Sequence, residues 1–331
     1  MKKSLQHQPG DGLSRLLNQL RFLSTHLERA STSPSPARAL FLSPARQNTF
    51  YLEALARIHR KLHDRNFFNE LRKTIKQLED QLGRVDYYHA FAVEFSATAN
   101  FPPLLLQYFN TQTESAMQAL QQLLEEQQWL DLSSGMVPQL IHDFEKISWM
   151  EPMEECKAIM HFLNDEWSDF KKDFSSNKFD FTLLEQGVHE FRRQLRWFSI
   201  YAQALQGLIQ LKENPHRATL LEKYLTDEIL HSPFNKMPAT ANSLTAIYVS
   251  APDFYAISYV IQAIGTLKDS GLRLHALSEA IVATEMKDEN EATRFAARLL
   301  HEDEGASEDI ARQARTLCSR MMEEVEITYT L

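Results

Sequence analysis

Apolar residues recur three and four positions apart through most of the chain. In one long segment they step from Leu71 through Ile75 and Leu78 to Leu82 and Val85. This spacing places apolar side chains on one face of an α-helix. Similar patterns predict about ten helices and no strand. The helical segments are 13–27, 49–64, 67–97, 104–129, 137–147, 151–174, 183–212, 218–230, 254–285, 291–302 and 307–326.

The most regular apolar pattern lies in the predicted helix over 183–212, where apolar residues alternate four and three apart. These residues are Leu184, Val188, Phe191, Leu195, Phe198, Ala202, Leu205 and Ile209. Such a seam is typical of a helix that packs against partner helices in a bundle. We therefore expect these side chains to be buried together.

Proline-rich and polar stretches divide the chain. Three prolines between 31 and 46 argue against a continuous helix there, because proline lacks the backbone donor and clashes with the preceding turn. The turn at 175–180 is the best boundary between two halves. We predict an all-α protein with an N-terminal helix and linker (1–47), a first helical bundle (48–174) and a second (175–331), both built from long antiparallel helices.

Composition narrows the class of protein. Only 9 glycines and 12 prolines occur in 331 residues, so the turns that strands need are scarce. The two cysteines, Cys156 and Cys318, lack metal-site or disulfide spacing, and no apolar stretch has the roughly 20 residues of a membrane span. We expect a cytoplasmic protein without membrane contact.

Charge is distributed unevenly. The net charge is −9, which makes nucleic acid an unfavourable partner for the whole surface. Residues 57–76 nevertheless carry seven Lys or Arg against two acidic residues. Because attraction between charges is screened beyond about 10 Å, a local basic patch can still bind a polyanion.

A second basic cluster lies beside the apolar seam. It consists of His189, Arg192, Arg193 and Arg196, at relative positions i, i+3, i+4 and i+7, so the four side chains can converge on one flank of a helix. Arginine stays charged and presents a planar fork that suits phosphate oxygens. The alternative is a solvated helix face on which Glu185 and Glu190 pair with the arginines.

Short motifs around these clusters resemble the conserved-histidine α-helical domain (CHAD) family. The cluster His189-Glu-Phe-Arg-Arg-Gln-Leu-Arg196 is similar to its histidine helix, and Ile264-Gly-Thr-Leu-Lys-Asp269 is similar to a second family motif. The first half shows a fainter echo in Ile58-His-Arg-Lys-Leu-His63 and Gln81-Leu-Gly-Arg-Val-Asp86. The chain departs from the family in its acidic composition and in Val85, where a basic residue is expected.

The resemblance covers roughly 48–285 and implies two related helical bundles whose basic residues line a cleft that binds inorganic polyphosphate. Carried over to this chain, it gives the anion-binding candidates His189, Arg192, Arg193, Arg196 and Lys268, followed by Arg57, His59, Arg60 and Lys61.

No motif predicts catalysis, a cofactor or a metal. Phosphate-binding glycine loops, dinucleotide signatures and nucleophile elbows are missing from the sequence. His59 and His63 share a helical face, but no HExxH glutamate accompanies them, and Arg60 and Lys61 add repelling charge. We therefore expect a non-enzyme without a cofactor.

Two interpretations remain open. The first is a non-catalytic module that binds polyphosphate or a related polyanion. The second is a helical scaffold or protein-interaction protein, whose basic flank pairs with acidic residues of its own chain or of a protein partner. The polyanion-binding interpretation is favoured if the basic segments around Arg57 and Arg192 face one open cleft. The scaffold interpretation is favoured if acidic side chains neutralise these segments.

Overall fold

The fold is almost entirely helical. The computed structural model describes residues 12–239, 246–285, 288–301 and 306–331, and the side chains of 184–186, 268–270, 285 and 306–308 lie outside this set. Helices account for 77% of the structure, which confirms the all-α prediction. None of the helices in the described ranges is long and apolar enough to cross a membrane.

Seven helices form the first half of the chain. They are α1 (Gly12–Ser31), α2 (Pro36–Phe41), α3 (Ala45–Leu62), α4 (Arg65–Ser96), α5 (Pro103–Glu126), α6 (Met136–Lys146) and α7 (Pro152–Ser175). Their starts follow local chemistry. The Asp64 side chain caps α4 by accepting hydrogen bonds from the backbone N–H groups of Asn66 and Phe67. Pro103 and Pro152 occupy the first turns of α5 and α7, where a missing N–H costs nothing.

The second half mixes helices with two short strands. After a π-helical turn (Leu184–His189) follow α8 (Glu190–Ala204), β1 (Ile209–Lys212), α9 (Pro215–Leu220), α10 (Asp227–His231), β2 (Ile247–Ser250), α11 (Ala251–Glu285), α12 (Glu289–Leu300) and α13 (Ala306–Glu324).

The prediction of one helix over 183–212 is wrong at its C-terminal end. Helix α8 ends at Ala204, and Gln206 and Gly207 adopt left-handed backbone with φ of 51° and 93°, which breaks the helix. Strand β1 then pairs in parallel with β2, in a register that places Ile209 opposite Ile247. The expectation of no strand is therefore corrected, since Ile209 stays buried but within a sheet.

Two further boundaries differ from the sequence prediction. The proline-rich segment 31–46 contains α2, which begins with Pro36 in its first turn and buries Ala37 and Leu40 in the core. The predicted helix over 218–230 is instead divided between α9, a 3-10 turn and α10. Proline at the start of a short helix is favourable, so Pro36, one of the three prolines that argued for a loop, begins α2.

One large apolar cluster spans both halves of the chain. It runs from Leu13 in α1 to Tyr329 near the C-terminus and includes the α8 seam residues Phe191 and Leu195, which are fully buried as predicted. A second cluster joins the end of α4 and the start of α5 to α11 and α12. The main core thus continues across residue 175, and the division into two bundles there stays a prediction.

Candidate functional site

The two basic segments of the sequence meet in one cleft. A cavity of about 580 Å³ lies between α3, α4, α7 and α8. Seven basic side chains line it: Arg46 and Arg57 from α3, Arg72 and Lys76 from α4, and Arg192, Arg193 and Arg196 from α8. His189 joins them from the end of the π-helical turn. Turns of this kind occur frequently at functional sites.

Acidic side chains line the same cleft in equal number. The seven carboxylates are Glu53, Glu79, Asp80, Glu166, Asp169, Asp173 and Glu190. Among the described residues, several basic groups therefore have close partners. Arg46 contacts Glu79 at 3.1 Å and Asp86 at 2.6 Å, and Arg193 contacts Glu190 at 2.5 Å. Lys76 likewise pairs with carboxylates of α4.

Arg57 is fixed by aromatic and polar contacts. Its guanidinium carbon lies 4.1 Å from the centre of the Trp197 ring, and its Nη1 donates a hydrogen bond of 3.3 Å to the Tyr201 hydroxyl. Burial alone lowers the pKa of Arg57, but the nearby Tyr201 and Glu53 more than offset it and raise the pKa. The guanidinium of Arg57 is thus permanently charged and is held in a fixed position where it lines the cleft.

Arg196 has a different environment. Among the described residues, no carboxylate lies within ion-pair distance of its guanidinium. Its guanidinium carbon instead lies 5.4 Å from the centre of the Phe50 ring. The guanidinium carbon of Arg46 lies 5.6 Å from the centre of the same ring. Burial, followed by the positive charges of Arg192 and Arg46, lowers the pKa of Arg196. The carboxylate of Glu79 opposes this shift, so the positive charges of Arg192 and Arg46 act on Arg196 more strongly than Glu79 does.

Two glycines allow arginines to approach helix backbones closely. A Cβ atom added at Gly265 of α11 would lie 3.0 Å from Nη2 of Arg192, and one added at Gly83 of α4 would lie 2.7 Å from Nη2 of Arg46. The Nε of Arg192 also donates a hydrogen bond of 2.9 Å to the Ile261 carbonyl. Both glycines belong to the short motifs on which the family resemblance rests.

A second cavity shares a wall with the cleft. It measures about 720 Å³ and is lined by Phe50, Arg192 and Arg196 together with apolar side chains that include Ile200 and Ile261. This volume lies within the range of small-molecule sites. Arg196 and Arg192 therefore separate a highly charged space from a more apolar one.

The structure gathers part of the predicted site. His189, Arg192, Arg193, Arg196 and Arg57 all line the cleft.

Three other candidates do not line the cleft, and one falls outside the described side chains. His59 is completely buried against Trp149, while Arg60 and Lys61 line none of the cavities described above. The charge of Arg60 nevertheless interacts with the charges of Arg72, Arg57 and Glu166 at the cleft. The Lys268 side chain lies outside the described residues.

Sequence reasoning missed Arg46 and the acidic wall. Arg46 is the last residue of the proline-rich segment, for which the sequence predicts a linker and not a helix face, whereas the structure places it in α3. The acidic residues of α7 are separated from Arg57 by more than 100 positions in the sequence, and only the packing of α7 near α3 and α8 brings them to the cleft. The closely spaced acidic residues of α7, from Glu166 to Asp173, were the signal available in the sequence.

No protein-family model, curated protein sequence or solved structure matches this chain. Function is therefore inferred from the cleft itself.

Proposed function

We propose that the chain is a non-catalytic phosphate-binding module, and that the cleft between α3, α4, α7 and α8 takes inorganic polyphosphate or a related phosphate polymer. The observation that carries this proposal is the environment of Arg196. Its guanidinium is half-buried, lies beside Arg192 and Arg46, and has no carboxylate partner among the described residues. An anionic oxygen is the group that such an environment favours most.

The paired Gly–Arg contacts support the CHAD-like part of the proposal. Each half of the chain has a helix glycine, within a Leu-Gly or Ile-Gly motif, whose missing side chain leaves room for the guanidinium of an arginine from an earlier helix. Gly83 of α4 contacts Arg46 of α3 in this way, and Gly265 of α11 contacts Arg192 of α8. A repeated arrangement of this kind is expected if the two halves are related. It also places both arginines at the cleft.

The acidic wall limits how the ligand binds. Seven carboxylates face seven Lys or Arg side chains, so a long polyanion cannot lie in the cleft without meeting negative charge. A phosphate at Arg196 meets a cation that has no carboxylate partner in the described part of the chain, whereas a phosphate near Arg193 must compete with Glu190 at 2.5 Å. We therefore propose that one terminal phosphate or a short run of phosphates enters the cleft and that the rest of the polymer lies outside.

A scaffold is the second candidate, and the same acidic wall favours it. If the charges of the cleft serve only to hold α3, α4, α7 and α8 together, the cleft is an internal ion-pair network. Arg196 then contributes through its contact with Phe50, and no phosphate is bound.

A titration with inorganic polyphosphate distinguishes the two candidates. We expect the unmodified protein to bind at low salt and Arg196→Gln to bind at least tenfold more weakly, which corresponds to about 1.4 kcal/mol. Arg312→Gln is the matched control, because it removes the same charge from an exposed position of α13, where the side chain is 74% exposed. Equal weakening in both variants, or no binding by the parent, supports the scaffold.

A further inference from the structure

Two histidines and a glutamate converge at the N-terminal end of α1, away from the cleft. His59 lies in the last turn of α3, His63 follows that helix directly, and Glu155 comes from the first turn of α7. One ligand atom from each of the three residues can be chosen so that all lie within 4.8 Å of one another. The polar atoms of this cluster face each other in the interior.

Three of the four histidine nitrogens of this cluster have no hydrogen-bond partner among the described residues. His59 is 0% exposed, and neither its Nδ1 nor its Nε2 has a hydrogen-bond partner among the described residues. Nε2 of His63 is also buried without a hydrogen-bond partner in the part of the chain that the structure describes. A buried imidazole N–H or lone pair that stays unsatisfied destabilises the fold, so such atoms are rare and require an explanation.

The carboxylate is held in place by α1. Oε2 of Glu155 accepts hydrogen bonds from the Gly12 backbone N–H at 3.0 Å and from Nη2 of Arg15 at 2.7 Å. The other oxygen, Oε1, lies 3.9 Å from Nε2 of His59. Outer contacts that fix a carboxylate while its second oxygen faces imidazoles are typical of the support around metal ligands.

We propose that His59, His63 and Glu155 form a binding site for Zn²⁺. Two neutral imidazole nitrogens and one carboxylate oxygen are a donor set that zinc prefers, with Zn–N distances of about 2.0–2.1 Å and a fourth position left for water. In a tetrahedral site the donor atoms are about 3.3 Å apart. The donor atoms lie within 4.8 Å of one another, with 3.9 Å between Oε1 of Glu155 and Nε2 of His59, so they must approach by at most about 1.5 Å to hold the ion.

The protonation states suit a metal. Burial and then the charge of Arg15 lower the pKa of His59 well below its ordinary value, and burial also lowers the pKa of His63. Both rings are thus neutral near pH 7, which is the form that binds a cation. A backbone hydrogen bond to Ser148 orients His63. Arg15 opposes a cation, but its charge is directed at the Oε2 atom of Glu155.

The walls of the site are closely fitted. A Cβ atom added at Gly12 would lie 2.2 Å from Oε1 of Glu155 and 2.6 Å from Cε1 of His59, so only glycine allows α1 to begin there. Trp149 contacts both histidine rings edge-on, with centroid distances of 5.2 and 4.8 Å. Of the three ligands, His63 alone is partly exposed to solvent.

The sequence contains no motif that predicts this site. His59 and His63 share a helical face, but the third ligand lies more than 90 positions away on α7, and no motif connects it to the pair. Arg60 and Lys61, whose charges argued against a cation, are not part of the cluster.

The experiment is a titration of the metal-free protein with Zn²⁺ against a chromophoric chelator. We expect one equivalent to bind to the unmodified chain and to His161→Gln, a control that removes an exposed imidazole from α7. His63→Gln should bind at least 100-fold more weakly while its circular dichroism spectrum stays helical. No binding by the parent, or equal binding by His63→Gln, overturns the proposal.

A spectroscopic measurement on the unmodified protein keeps the test independent of any variant that fails to fold. X-ray absorption at the zinc edge of the one-to-one complex should show two imidazole ligands and otherwise only light oxygen or nitrogen donors at about 2.0 Å. A spectrum with fewer than two imidazoles, as expected for zinc on surface carboxylates, contradicts the site. Neither measurement involves Arg196, so each outcome is separate from that of the phosphate proposal.

Discussion

Replacing Gly265 by alanine tests whether α11 holds Arg192 in place. In the interior of a helix this change ordinarily stabilises a protein by about 0.8–1 kcal/mol. Here the new Cβ would lie 3.0 Å from Nη2, 3.2 Å from Nε and 3.4 Å from Cζ of Arg192, so the guanidinium must move by a few tenths of an ångström. That movement strains the 2.9 Å hydrogen bond to the Ile261 carbonyl.

The magnitude follows from the two opposing contributions. A hydrogen bond from a charged donor contributes about 1.5–3 kcal/mol, so its partial or complete loss cancels or exceeds the helix gain. We expect the free energy of unfolding of Gly265→Ala to lie between that of the parent and about 2 kcal/mol below it. Because Arg192 moves at the cleft, the affinity for polyphosphate should fall as well.

Urea unfolding and a polyphosphate titration measure these two effects. Thr266→Ala is the control, since Thr266 is the next residue of α11, is exposed and does not line the cleft. This control should gain helix stability and bind as the parent does. If Gly265→Ala gains a full 1 kcal/mol and binds normally, the contact between Gly265 and Arg192 does not position the guanidinium.

Three more predictions concern stability. Leu195→Ala truncates a fully buried side chain of the α8 seam and should lower the free energy of unfolding by about 2–5 kcal/mol in urea, whereas an unchanged midpoint would mean that this face is not core. Asp253→Ala leaves the Arg217 guanidinium, 15% exposed, without its buried carboxylate and should cost about 3–5 kcal/mol, which thermal unfolding will detect as a large drop in Tm. Burial, followed by the charge of Arg15, lowers the pKa of His59 in the folded chain. Below about pH 6.5 the unfolded chain therefore binds more protons than the folded chain, and the free energy of unfolding should fall as the pH drops further. A His59→Leu variant should show a shallower fall over the same range, and identical pH profiles would contradict this assignment.

The helices were predictable where one apolar face repeats over many turns. Helix α4 was expected over 67–97 and extends over Arg65–Ser96, because its apolar residues follow a single 3.6-residue period and Asp64 caps its start. The same reasoning failed at Ile209, whose spacing from Leu205 fits a helix equally well. Its parallel pairing with Ile247 depends on a partner 38 positions away, which periodicity cannot reveal.

The candidate site was predictable only as far as it lies on one helix. Arg192 and Arg196 share a flank of α8, so their common exposure to the cleft followed from spacing alone. Arg57 was expected there through the family resemblance. The carboxylates that face them come from other helices, and their pairing with the basic groups depends on tertiary packing. His59 illustrates the opposite error, because its neighbours in sequence are basic but its neighbours in space are Trp149 and Glu155.

The most direct test of the central proposal is to reverse the charge of Arg192 and Arg196 together and to titrate the double variant with inorganic polyphosphate at two salt concentrations. We expect the parent to bind at about 50 mM salt and to lose affinity steeply by about 200 mM, because a polyanion releases counterions when it binds. The Arg192→Glu, Arg196→Glu variant should bind at least tenfold more weakly, a loss of about 1.4 kcal/mol, while its helical circular dichroism spectrum is retained. Equal binding by the folded double variant, or no binding by the parent even at the lower salt concentration, would contradict the assignment of the cleft as a phosphate-binding site.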